Sequence, residues 1–138
     1  MNLKDCYDQG LLKRIRPQPQ AAKKEIEKAK EYLEKARKNY EIDIHDITVV
    51  AAYTAMFHAA RSLLFIDGIK ERSHVCIVLY LKSKYPQLEH HIRVLDSYRR
   101  FRHTALYALD VRISGNEAEV ALKLADEFIT EIEKNIKS

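Results

Sequence analysis

Val49-Val50-Ala51-Ala52-Tyr53-Thr54-Ala55-Met56-Phe57-His58-Ala59-Ala60-Arg61-Ser62-Leu63-Leu64 reads as a helix that is apolar on nearly every side. A surface helix keeps one polar face, so a helix without one belongs at the centre of a bundle, covered all round by neighbours. The alanines at 51, 52, 55, 59 and 60 let those neighbours come close. Asp46 is placed to cap its start, and Asp67-Gly68 to stop it after Ile66. Thr54, His58 and Arg61 follow one another at helical spacing and form a single narrow polar stripe. That stripe is either a satisfied internal network, with a carboxylate such as Asp46 or Asp96, or the wall of a cleft. Ile47 to Ile66 approaches membrane-spanning length, but His58 and Arg61 near its middle argue against a span.

Elements of the same period surround this one. Leu3, Tyr7, Leu11 and Ile15 suggest a helical arm that ends at Pro17-Gln18-Pro19, with Gly10 interrupting it. Ile26, Ala29, Leu33, Ala36 and Tyr40 mark an amphipathic helix from Gln20 to about Tyr40 whose Lys and Glu residues form the solvated face. Ser73 opens a shorter helix that Pro86 ends. Leu88 to about Val111 forms another helix, with Val94, Tyr98, Phe101, Ala105 and Leu109 as its apolar stripe, and Ser114-Gly115-Asn116 breaks the chain before a last helix, Glu117 to Ile136. Short connections favour antiparallel neighbours. The expected fold is therefore all-α: an up-and-down helical bundle of four main helices, a shorter helix and an N-terminal helical arm over residues 1–19, all in one domain spanning 1–138.

Composition agrees. With 46% hydrophobic and 32% charged residues, and only three glycines and three prolines, the 138-residue chain has the make-up of a soluble helical domain with little material for the turns of a sheet. A net charge of +4 is too mild for a surface devoted to nucleic acid, which leaves room for a local basic patch. Cys6 and Cys76 form no paired motif, so two free thiols in a reducing cytosol are expected. No secretory signal is visible, and the expected location is cytoplasmic, with no membrane partner.

The local patch is Arg99-Arg100-Phe101-Arg102-His103-Thr104-Ala105-Leu106-Tyr107. Arg99, Arg100, His103 and Tyr107 fall on one side of the helix and form a candidate ligand-binding face, with His58 and Arg61 as further candidates. Arg102 points into the apolar face and reads as a structural arginine. The six histidines show no metal-ligand spacing, no Ser or Cys sits in an activating motif, and no Gly-rich phosphate loop exists, so neither metal nor cofactor is expected.

The stretch Ala51 to Leu64 resembles the central helix of the HEPN domain family. Gly68 and the Ser73-His74 pair are similar to that family's next landmark, Arg99 to Tyr107 occupies the place of its arginine-rich helix, and Leu3 to Leu12 is similar to the arm of its small archaeal and bacterial branch. The resemblance implies a bundle that dimerises and works near nucleotides or RNA, often beside a nucleotidyltransferase in toxin and antitoxin pairs. Ribonuclease members of that family carry an arginine, four to six intervening residues, then a histidine, often with a tyrosine two positions later. With Arg100 as that arginine and Tyr107 as that tyrosine, Ala105 stands in the histidine's place, and alanine cannot move a proton. The resulting expectation is a homodimer that binds a nucleotide, RNA or a nucleotidyltransferase partner through this basic face without strong catalysis. The alternative is a metal-independent endoribonuclease toxin that uses Arg100 and a displaced histidine, His103.

Overall fold

The computed structural model describes residues 1–137. Along them run α1 (Leu3–Asp8), β1 (Leu12–Arg14), α2 (Pro19–Glu41), α3 (His45–Asp67), β2 (Ile69–Glu71), α4 (His74–Lys84), a 3-10 turn at Pro86–Leu88, α5 (Glu89–Tyr107) and α6 (Gly115–Lys137). The architecture is the expected all-helical bundle. Helix α3 is its axis, with α2, α6 and α5 packed round it. Val49, Ala52, Ala55, Met56, Ala59 and Ala60 are fully buried. Burying a side chain the size of Leu63, Leu64 or Met56 contributes about 1.5–3 kcal/mol. Although α3 is long and apolar enough to cross a membrane, with a mean hydropathy of 1.5, 61% of that window is buried inside the bundle.

Start and stop signals act as their chemistry predicts, with one exception. Pro19 sits in the first turn of α2, where its missing N–H costs nothing. Ser73 caps α4 by accepting from the Cys76 N–H at 3.2 Å. Gly68 ends α3 with φ +76°, and a Cβ there would lie 2.5 Å from the Ile15 carbonyl, so the position excludes any side chain. The exception is Asp46, which is not the cap of α3. Ile44 holds that position, and the Asp46 carboxylate accepts from the next residue's N–H instead.

Three expectations are corrected. The N-terminal arm is helical only to Asp8. After Gly10, at φ +71°, the chain extends and β1 pairs antiparallel with β2, Leu12 opposite Glu71 and Arg14 opposite Ile69. Backbone groups that a continuous helix would have satisfied internally are satisfied across the ribbon. Helix α5 ends at Tyr107 rather than near Val111, because Ala108 is extended at ψ 123°. The apolar stripe accordingly packs against the core through Val94, Tyr98, Phe101 and Ala105, while Leu109 is 98% exposed.

The third correction concerns the cysteines. Cys6 and Cys76 are not free thiols but a disulfide, which ties α1 to α4 across 70 residues of chain, with the Met1 thioether 3.7 Å from each sulfur. Closing a loop of that length restricts the unfolded chain by about 4 kcal/mol in the chain-entropy model, and measured bridges typically contribute about 2–4 kcal/mol. Reduction, or Cys6→Ser, is expected to lower the stability of the chain by about 2–4 kcal/mol in denaturant titrations and to expose residues 1–16 to protease. An unchanged midpoint with and without reductant would mean that the arm is held by packing alone.

Candidate functional site

Because α5 passes the start of α4, the arginine-rich stretch faces a helix opening rather than open solvent. Arg99, Arg100, Arg102 and His103 on one side and Ser73, His74 and Val75 on the other line an open cleft of about 340 Å³. Three guanidinium groups around one cleft repel each other, and the carboxylate ion-paired among them is Asp96. Its Oδ1 accepts from Arg99 Nε at 3.0 Å, and its Oδ2 lies 3.8 Å from Arg100. Arg102 has no carboxylate within ion-pair distance among the described residues. Its Nε is buried with no acceptor, and its guanidinium lies over the Tyr53 ring, 5.2 Å from the centroid. Arg102 thus joins both the core, through Tyr53, and the cleft wall. An excess of positive charge in a partly desolvated concavity attracts anions.

His74 is the part of the cleft that sequence reasoning did not pick out as a candidate. Its Nδ1 is 2.6 Å from the Tyr53 hydroxyl, and the Phe57 ring stacks on it at 4.0 Å with 23° between the planes. Burial, followed by the charges of Arg102, Arg99 and Arg61, pushes its pKa down to about 4. The imidazole is therefore neutral at physiological pH. Burial likewise raises the Tyr53 phenol to about 12, against the pull of Arg102 and Arg99. Its sequence signal was the Ser73-His74 pair at a helix start. A histidine just after an N-cap is an ordinary helix opening until the facing helix is known.

The other candidates lie in a different place. His58 Nδ1 is 2.7 Å from Glu25, and Tyr32 stacks on the His58 ring at 5.5 Å. Arg61 lies 3.8 Å from Glu25 and 3.4 Å from Glu71. The partners of this stripe are thus glutamates of α2 and β2, not Asp46 or Asp96. Burial raises the Glu71 carboxyl, and Arg61 works against that rise. His58 and Arg61 do not line the cleft with the α5 arginines. Tyr107 is 67% exposed at the end of α5, its ring 4.9 Å from that of His103. Among the described residues no group of three His, Cys, Asp or Glu side chains is placed to hold a metal ion.

The arrangement can grip a phosphate with several guanidinium groups at once. It offers two imidazoles, one fixed and neutral and one, on His103, at the exposed rim. Comparison with known proteins identifies the family. The model of the HEPN domain matches residues 22–135. A protein of Methanocaldococcus jannaschii that carries the name "putative toxin" is 30% identical over 131 residues, covering 92% of this chain and 95% of its own length.

His74 has a consequence for acid stability. Its pKa is about 4 in the folded protein against 6.5 for the free side chain, so between those values the unfolded chain binds the extra proton. Stability carried by the neutral imidazole is complete above the free value and is lost as pH falls toward the folded one. The groups around it are Tyr53 and Arg61 on α3, Arg99, Arg102 and His103 on α5, and Glu71, whose raised carboxyl works in the opposite direction. Urea midpoints at about pH 7 and about pH 4.5 are expected to fall less in His74→Gln than in the wild type. Equal losses would show that this ring does not set the acid limb.

Proposed function

The chain belongs to the HEPN domain family, and from that membership we propose that it is a toxin-type HEPN protein that holds RNA by its phosphates in the cleft between α4 and α5, without strong catalysis. The observation that carries this reading is the cleft's charge: Arg99, Arg100 and Arg102 share one concavity, and Asp96 pairs with only the first two of them. Arginine forks match phosphate oxygens in pairs, and a partly buried site strengthens each contact. Ala105, half-buried on α5, has no group able to move a proton.

A second reading has its own support. His103 lines the same cleft as Arg99 and Arg100, so a displaced imidazole is available for a metal-independent endoribonuclease. A nucleotidyltransferase is the further partner the family leads one to expect, and carboxylates on it would form salt bridges with the same arginines. A second copy of this chain is the proposed companion at the end of the bundle. There the α2–α3 connection meets the segment after α5, and Ile42, Ile44, Ile47, Leu106, Leu109 and Val111 are exposed. Soluble monomers rarely leave such patches bare.

Fluorescence anisotropy with a labelled single-stranded RNA, run beside a cleavage gel, separates the readings. Arg99→Ala and Arg100→Ala are each expected to weaken binding about tenfold and to reduce the salt slope by about 0.7 for each phosphate no longer neutralised, with the RNA intact. Binding indifferent to both changes would overturn the cleft as the site. Cleavage abolished by His103→Ala would establish the ribonuclease instead. Light scattering is expected to give a dimer for the wild type and a monomer for Leu109→Asp, and a monomeric wild type would remove the second copy.

A further inference from the structure

Tyr53 is 2% exposed, and among the described residues its hydroxyl has one hydrogen-bond partner, Nδ1 of His74. A neutral phenol must place its proton on an acceptor, and a buried hydroxyl that fails to do so is costly. The O–H of Tyr53 therefore donates to Nδ1. A neutral imidazole that accepts at Nδ1 carries its own proton on Nε2. Phe57 stacks on the ring face, so the ring cannot turn freely; Nε2, across the ring from Nδ1, is not among the buried unpartnered atoms of the described residues, and His74 lines the cleft.

We propose that His74 is an uncharged N–H donor, fixed in one tautomer by Tyr53, that bonds a non-bridging phosphate oxygen of RNA held by Arg99, Arg100 and Arg102. This rests on the phosphate-binding reading above and adds a second kind of donor to it. The guanidinium groups approach the phosphate from α5 and the imidazole from α4, so two helices grip one group from two sides. The bond also limits chemistry. A nitrogen that already bears a proton cannot take one from a ribose hydroxyl, so His74 strengthens binding without serving as a general base. Tyr53 acts through His74 and is a positioning residue. The His74 ring is uncharged in the neutral range, so its N–H donates without a change of charge.

Two measurements test it. Long-range 15N spectra of the ligand-free protein are expected to show protonated Nε2 and unprotonated Nδ1 at His74, and the opposite assignment would overturn the proposal without any variant having to fold. Anisotropy with the labelled single-stranded RNA, with inorganic phosphate as competitor, is then compared across substitutions. His74→Ala is expected to weaken RNA binding about tenfold. His74→Gln, whose amide N–H reaches the Nε2 position, is expected to recover most of the loss, whereas His74→Asn is not. Tyr53→Phe is expected to weaken binding about threefold, less than His74→Ala, and to give a mixture of tautomers. Full binding by His74→Ala alongside weakened Arg100→Ala would sink the His74 bond and leave the cleft standing. Wild-type protein that binds no RNA would sink both. Release by phosphate at millimolar concentration, with equal affinity for RNA and free phosphate, would mean that the cleft takes the free ion and not the polymer.

Discussion

Helix α3 has no side that water can cover, and everything else follows from that. Because it is apolar on almost every face, α2, α5 and α6 must surround it, and its alanines set how closely they come. The few polar side chains on α3 must then find partners inside the assembly. Tyr53 reaches His74, His58 reaches Glu25, and Arg61 reaches Glu25 and Glu71. Between them these interactions pin α4, α2 and β2 to the axis. The Tyr53 bond fixes the start of α4, and with it the wall of the cleft.

The fold neutralises the charge of the cleft only in part. Folding favours neutralising charge, and Asp96 does this for Arg99 and in part for Arg100. Arg102 is left with a tyrosine ring and an unsatisfied buried Nε. An unpaired buried polar atom costs about 1–3 kcal/mol. Burial, with the same charges adding to it, holds His74 neutral, so the cleft's cations and its uncharged imidazole lie side by side.

The bundle was legible in the sequence because its signal is local: the all-round apolar stretch from Val49 to Leu64, the Pro17-Gln18-Pro19 break before a helix and Gly68 at a helix end. What was not legible was non-local. Leu11 and Ile15 suit either a helix or a strand, and the choice was made by Ile69 to Glu71 on the far side of two helices. The Cys6–Cys76 pairing depends on the same long-range fold. Ala108 and Leu109 would continue a helix by propensity, yet α5 stops at Tyr107. For the site, the α5 arginines were readable as a basic face. Two things were not: that His74 faces them, and that His58 and Arg61 turn toward glutamates instead. Both depend on which helix lies opposite.

This cleft, and no other surface, is the proposed seat of the phosphate. The most direct measurement is the side-chain 1H–15N spectrum of the arginines during titration with a short single-stranded RNA. The Nε–H signals of Arg99, Arg100 and Arg102 are expected to shift together. Shifts confined to Arg61, or to arginines outside α5, would contradict the account.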